Sequence, residues 1–416
     1  MKTMKKSGIP WIKEIPLDWE TCRVSDAFFR KNRKAYQLEP TILTLARSGI
    51  KIRDISSNEG QIAESYYEYN PVSKNDLLLN PMDLQSGDNC SISKVEGVIS
   101  PAYINLRHKN NISPDFYNYL FKVYYWTKAL FTYGKGVSFD NRWTLNYETL
   151  SHLKIVRPKY EEQLKIANYL DKRCGEIDGL ISDIEREIET LSQYKKSIIS
   201  ETVTKGLNKN IKLKNSGIEW AKHIPEHWEV SRIANVYKLR NQKVSDKDFE
   251  PLSVTMKGIF PQWENVAKSD AHDDRKLVRK GDFAINSRSD RRGSCGISDR
   301  DGSVSLINLV LQPLTNMNPN YYNWLFHTES FADEFYKWGH GIVNDLWTTN
   351  WQDMKRILIP QPPIQEQREM AEYLDKKCKE IDSILEDKNK QLEILESYKK
   401  SIIYEYVTGK KEVVDD

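Results

Sequence analysis

The chain begins twice. "SGIPWIKEIPLDWE" runs from Ser7 to Glu20, and "SGIEWAKHIPEHWE" runs from Ser216 to Glu229. A repeated opening implies a repeated body, and the extent of that copy constrains the fold before anything else does. "EEQLKIANYLDKRCGEIDGLI" from Glu161 returns as "QEQREMAEYLDKKCKEIDSIL" from Gln365. "LSQYKKSIISETVTKG" from Leu191 returns as "LESYKKSIIYEYVTGK" from Leu395. The spacing is 209 between Ser7 and Ser216 but 204 between Tyr194 and Tyr398, so the second middle portion is slightly shorter. The middles diverge yet keep a skeleton. "NDLLLN" (Asn75 to Asn80) parallels "GDFAIN" (Gly281 to Asn286), and "SPDFYNYLFK" parallels "NPNYYNWLFH". "GKGVSFDNRWTLNYETL" parallels "GHGIVNDLWTTNWQDM". One unit of about 205 residues is written twice.

Two textures alternate inside each unit. The divergent part is rich in Gly, Asn, Ser, Pro and aromatics, with strand-length apolar runs such as "TILTL", "LLLN", "VISPAYINL" and "LKIVRP" between turn signals. "DFYNYLFKVYYWTKALFTYG" reads instead as a helix stopped by Gly134, with its aromatics at core spacing. The matching part has no internal proline after Pro158 and Pro363. In the first copy Ile177, Ile181, Ile184, Ile188, Leu191 and Ile198 follow steps of four and three, with Lys195 in the one gap. Ile381, Leu385, Leu392, Leu395 and Ile402 repeat that seam. Such heptad spacing predicts two helices of roughly 40 residues and 60 Å, each needing a partner for its apolar stripe. The other copy is the natural partner, and two like units would run their helices antiparallel. The predicted class is α+β: two mixed α/β domains separated by an antiparallel two-helix coiled coil, with an internal pseudo-two-fold repeat. The boundaries are 1–158 and 208–362 for the domains, 159–207 and 363–410 for the helices, and 411–416 for a tail.

Composition excludes more than it assigns. The 416 residues carry a net charge of +3, the mean hydropathy is −0.65 and the pI is near 8.3. No apolar run approaches the roughly 18 residues of a membrane span, and no apolar stretch follows the basic N-terminus, so a cytoplasmic location is expected. Cys22, Cys90, Cys174, Cys295 and Cys378 form no CxxC pair. Cys174 matches Cys378, and Cys90 matches Cys295, which suits inherited small apolar residues better than disulfides or zinc ligands. No GxxxxGK[ST] phosphate loop, methyltransferase Asp/Asn-Pro-Pro-aromatic signature, GxSxG elbow or HExxH motif is present. A non-catalytic chain with no cofactor and no metal is expected.

Local basic patches supply the candidate DNA contacts. "SRSDRRGS" offers Arg288, Arg291 and Arg292 in a turn-rich context, and guanidinium forks reach guanine edges or phosphates. "ARSGIKIR" contributes Arg47, Ser48 and Lys51, and "TMKGIF" contributes Thr255 and Lys257. Asn80 and Asn286 close the paired strand motifs. Lys135 sits within the first Gly-Lys-Gly segment, with Asn141 and Arg142 after it, and His340 sits within its Gly-His-Gly counterpart, with Asn344 after it. An exposed charge without a partner explains any single one of these residues equally well.

With "SGI.W...IP..W" at each unit start, and "EQ...A.YLD.....ID" and "YK.S.I...VT" along each helix, the chain resembles the specificity subunits of Type I restriction–modification systems. The resemblance covers essentially the full length. It implies two target recognition domains, each reading one half of a bipartite double-stranded DNA site, and helices that set the spacer between them. It also implies docking of two methyltransferase subunits, which carry S-adenosylmethionine, and recruitment of ATP-dependent restriction subunits. Recognition domains vary too much for base-reading residues to be carried over by motif. The rival reading is a coiled-coil adaptor whose two domains bind proteins.

Overall fold

The computed structural model describes residues 3–46, 49–54, 63–84, 90–136, 143–262, 274–341 and 347–414. The chain divides into two compact units. The first comprises residues 1–184 and 390–416, and the second 185–389.

In the first unit a four-stranded antiparallel sheet runs in the order Phe28–Arg30, Ile104–His108, Leu77–Leu79, Cys90–Ile92. The "NDLLLN" block therefore supplies a central strand, buried on both faces. A short helix α1 (Val24–Ala27) leads into the sheet, and α2 (Pro114–Trp126) packs on it. Ser113 caps α2 by accepting a hydrogen bond from the Phe116 amide. Phe116, Tyr117, Leu120, Phe121, Tyr124 and Tyr125 fill its inner face, as the core reading of the aromatic run predicts. Their hydroxyls are satisfied at the periphery: Tyr117 donates to the Val156 carbonyl and Tyr125 to that of Asn80. The helix stops eight residues before Gly134. Lys128 adopts φ 55°, which breaks the ladder, and a 3₁₀ turn covers Phe131–Tyr133. Helix α3 (Tyr147–His152) follows, capped by Asn146. Strand Lys154–Arg157 then pairs with Glu20–Arg23, closing the variable region at both ends. Helix α4 (Tyr160–Lys205) begins three residues later and runs for 46 residues into the second unit.

The second unit repeats the plan. Its sheet runs Tyr237–Leu239, Asn308–Pro313, Phe283–Asn286, Cys295–Ile297, the same order element for element. Cys90 and Cys295 open equivalent strands, and both are buried thiols. A three-stranded sheet of Lys243–Val244, Arg275–Val278 and Gly302–Ser305 lies beside it. Helices α5 (Pro319–Phe326) and α6 (Glu329–Lys337) stand where the first unit has α2 and its turn. They are separated at Thr328, whose hydroxyl caps α6. Helix α7 (Trp351–Met354) and strand Leu358–Gln361, paired with Glu229–Arg232, lead into the 44-residue α8 (Ile364–Val407).

Each unit contains the start of one long helix and the end of the other. In the first, Tyr406 of α8 meets Tyr169 of α4, and Lys399 meets Asp178. In the second, Lys388 meets Glu187, and Lys195 meets Asp382. Within each unit the α4 partner rises in number as the α8 partner falls, so the two segments run antiparallel. Cys174 and Cys378 are buried on the helix faces turned to the two cores, and Ile402, Ile403 and Val407 join the core of the first unit.

The repeated opening segment is a clamp. In the first unit the Trp19 indole donates to Glu162 at the head of α4 at 3.0 Å, and the last turn of α8 closes on its other side. Gly409 there has φ +70°, and an added Cβ would stand 2.3 Å from Pro16. In the second unit Trp228 donates to Glu366 of α8 at 2.9 Å and faces Gly206, at the end of α4, with φ +77°. The neighbouring glutamine of each helix serves the aromatic helix. Gln163 accepts from the Ser113 amide and donates to the Pro158 carbonyl. Gln367 does the same between Asn318 and Pro362. The Glu-Gln motif thus fastens the opening segment, the aromatic helix and the long helix at one point.

Candidate nucleic-acid interface

The sheets are held by a buried charge that composition hides. Asp76, in "NDLLLN", is fully buried and meets Lys31 at 2.7 Å and Arg107 at 3.0 Å. Asp282, in "GDFAIN", receives both Nε and Nη2 of Arg240. Each carboxylate also accepts a backbone amide, from Ser73 and from Arg279. These pairs satisfy the charge internally, which takes Lys31 and Arg107 out of the pool available to a ligand. Sequence reading did not single them out; the matched Asp in the two strand motifs was the available signal.

In the second unit five of the sequence candidates line one groove of about 1540 Å³: Thr255, Lys257, Asn286, Arg291 and Arg292. One wall is the hairpin of Leu252–Thr255 and Gly258–Pro261. Thr255 closes its turn by donating to the Gly258 carbonyl and accepting from the Lys257 amide. Gly258 has φ +116°, and Gly296 of the main sheet approaches so closely that a Cβ on it would lie 2.9 Å from the Gly258 Cα. The hairpin is therefore seated on the sheet, with Lys257 exposed at its tip. The opposite wall is the 3₁₀ turn Ser289–Arg291, continued by residues 292–294. Asn286 is buried and contributes structure: its Oδ1 accepts from the Arg288 amide, and its carbonyl accepts from Tyr336. On the floor, Arg275 donates to the hydroxyl and carbonyl of Ser303. Its strand neighbour Lys276 donates to the Asn308 carbonyl, and burial pulls its ammonium below the usual lysine range. Helix α4 contributes Lys196, ion-paired with Glu329, at the groove edge.

The remaining candidates fall elsewhere. Arg288 holds Asp290 within the turn that forms the groove wall. His340 pairs in antiparallel fashion with Thr348 and lies 3.3 Å from Asp353. In the first unit Lys51 is exposed on the hairpin of Leu43–Ala46 and Gly49–Ile52, the counterpart of the Thr255–Gly258 hairpin. Asn80 caps the Met82 amide, and Lys135, within Gly-Lys-Gly, pairs in antiparallel fashion with Thr144. Arg47, Ser48, Asn141, Arg142 and Asn344 lie outside the described residues. Among the described residues no group of three His, Cys, Asp or Glu side chains could hold a metal ion, and no helix is long and apolar enough to cross a membrane.

The fold is a duplicated α+β unit, and its second copy carries a groove whose largely apolar lining is edged by cationic side chains. The family described as the Type I restriction modification DNA specificity domain matches residues 225–394, which include this groove. The chain is 26% identical to the Type I restriction enzyme MjaVIII specificity subunit of Methanocaldococcus jannaschii, over 95% of this chain and 93% of the relative. A chain from a solved structure of complex assembly and conformational transition in a type I R-M system superposes with a TM-score of 0.72 at 12% identity, covering 95% and 99% of the two chains. The HsdS subunit from Thermoanaerobacter tengcongensis gives a TM-score of 0.52 at 14% identity, covering 95% and 98%. Residues 225–394 thus match a DNA specificity domain, and the chain over nearly its full length is similar to specificity subunits of Type I restriction enzymes.

Proposed function

We propose that this chain is the DNA-reading subunit of a Type I restriction–modification complex, with each unit recognising one half of a bipartite double-stranded site. The observation that carries the reading is the duplication itself: one chain builds the same sheet, helix and clamp twice, with divergent hairpins and turns at the recognition surface. The groove of the second unit supports it, because its walls present cationic side chains from seated elements. In this reading Lys51, Thr255, Lys257, Arg291 and Arg292 face DNA, while Asn80, Asn286 and Arg288 hold the surfaces that do.

The helices offer matched faces for partners. Leu180 and Tyr398 are exposed in the first unit, and Ile384 and Tyr194 are exposed at the equivalent places in the second. Arg173 lies near Tyr398 and Lys377 near Tyr194, so charge and ring recur together. Two equivalent apolar patches suit two copies of one partner, the methyltransferase subunit. Methyl transfer belongs to those partners, and restriction subunits join the same assembly.

The test is selection of random duplex DNA by the assembled complex of this chain with its methyltransferase subunits. Enrichment of a two-part motif with a constant spacer supports the reading, and enrichment of no motif sinks it.

A further inference from the structure

We propose that Arg291 is the base-reading arginine of the second unit and that it reads a guanine, so that the half-site of this unit contains one. The inference rests on the DNA-recognition reading above and assigns a role within it.

Three guanidinium groups crowd this turn, and the structure separates them. Arg288 closes its fork on one carboxylate, Nε on Asp290 Oδ1 at 3.0 Å and Nη2 on Oδ2 at 3.1 Å. Arg292 is ion-paired with Asp333 and reaches the Glu329 carbonyl. Arg291 has neither commitment. Its side chain is 68% exposed, and its one ionic neighbour among the described residues, Asp290, is 3.9 Å away and already held by Arg288.

The backbone of Arg291 is fixed where its side chain is free. Its amide donates to the Arg288 carbonyl. Its carbonyl accepts from the Ser294 amide at 3.0 Å and from the buried Tyr336 hydroxyl at 3.3 Å. Tyr336 also holds the Asn286 carbonyl, tying the turn to the end of a central sheet strand. A free fork on an anchored backbone, at the wall of a groove, is the arrangement that direct readout needs, because the geometry is set before binding. A planar fork of parallel N–H donors matches the O6 and N7 acceptors that guanine shows in the major groove. Phosphate contact makes no such demand, and Lys257, exposed on the facing hairpin, already supplies a point charge for it.

The experiment reads the methylated motif that the assembled complex writes on a random-sequence library. The unaltered complex comes first: a library without a two-part motif ends the DNA-recognition reading, whatever Arg291 does. Given a motif, Arg291→Ala is expected to make one guanine position in one half permissive, with discrimination there falling on the order of ten- to a hundredfold. Arg291→Lys, which keeps the charge but loses the fork, relaxes the same position. Arg292→Ala leaves that position selective. An Arg291→Ala motif identical to the original, or uniform weakening across all sequences with a shallower salt dependence, overturns the assignment.

Discussion

Lys399 Nζ lies 2.6 Å from Asp178 Oδ1, and its repeat equivalent Lys195 lies 2.6 Å from Asp382 Oδ1. Both lysines occupy seam positions where the heptad pattern calls for an apolar residue. Each pair joins a half-buried ammonium to an exposed carboxylate, so its net stabilisation is small. What the pair does is select: only one alignment of the antiparallel segments puts each lysine beside its aspartate, as a single polar seam residue does in other coiled coils.

Lys399→Leu is therefore expected to change the unfolding free energy by no more than about 1 kcal/mol, measured by urea titration. Lys399→Glu, which sets like charge against Asp178, lowers it further. A leucine variant less stable than the glutamate variant would mean that the lysine stem, not its charge, holds the position.

The paired glutamines carry more. Gln163 is buried, and both ends of its amide are used. Gln163→Leu leaves the Ser113 amide and the Pro158 carbonyl unpaired in the core. A loss of roughly 2–4 kcal/mol is expected from two orphaned buried groups, read from denaturant unfolding, with Gln367→Leu behaving alike. A loss under about 0.5 kcal/mol would remove the clamp from the account.

Two kinds of glycine should respond in opposite directions to alanine. Gly175 and Gly179 sit on an exposed face of α4, with no atom within 4 Å of an added Cβ. Their substitution should raise stability by about 0.5–1 kcal/mol each. Gly409→Ala, at φ +70° against Pro16 and Trp19, should lower it by more than about 1 kcal/mol. Thermal unfolding of the three variants checks both signs.

His327 makes the second unit sensitive to acid. Burial lowers its pKa, and its ring bonds the Asn323 carbonyl and abuts the Cys295 thiol. Because the folded state binds the proton less readily than the unfolded chain, this contribution is complete above the unfolded value near 6.5 and declines as pH falls below it. Lys122 stands at the matching place in the first unit. Unfolding measured from pH 8 to pH 5 should weaken less in His327→Gln than in the unaltered chain. Equal slopes would exonerate the histidine.

The repeat made the architecture legible. Heptad steps marked both long helices to within a few residues, and the strand-length apolar runs fall in the observed sheets. The aromatic run was legible as core, but its end was not: Lys128 in a left-handed conformation carries no residue-type signal, whereas Gly134 does. The recurrence of the opening segment was legible from its Ile, Pro and Trp in both copies. Its partner was not, because Glu162 lies more than 140 residues from Trp19 and looks like an ordinary solvated helix position. For the candidate site, residue type found the arginines but could not rank them. That ranking depends on which carboxylates and carbonyls lie nearby in space, as the difference between Arg288 and Arg291 shows.

The central claim is that one chain carries two independent readers. Strand pairing brings the ends of each variable region together, at Arg23 and Lys154 in one unit and at Arg232 and Leu358 in the other. These are matched graft points. The most direct measurement replaces residues 24–153 with a second copy of residues 233–357, assembles the chain with its methyltransferase partners, and sequences the methylated motif from a random library. Two halves carrying the same bases, at an unchanged spacing, is the predicted result. Two halves that still differ, or a single undivided motif, would contradict it.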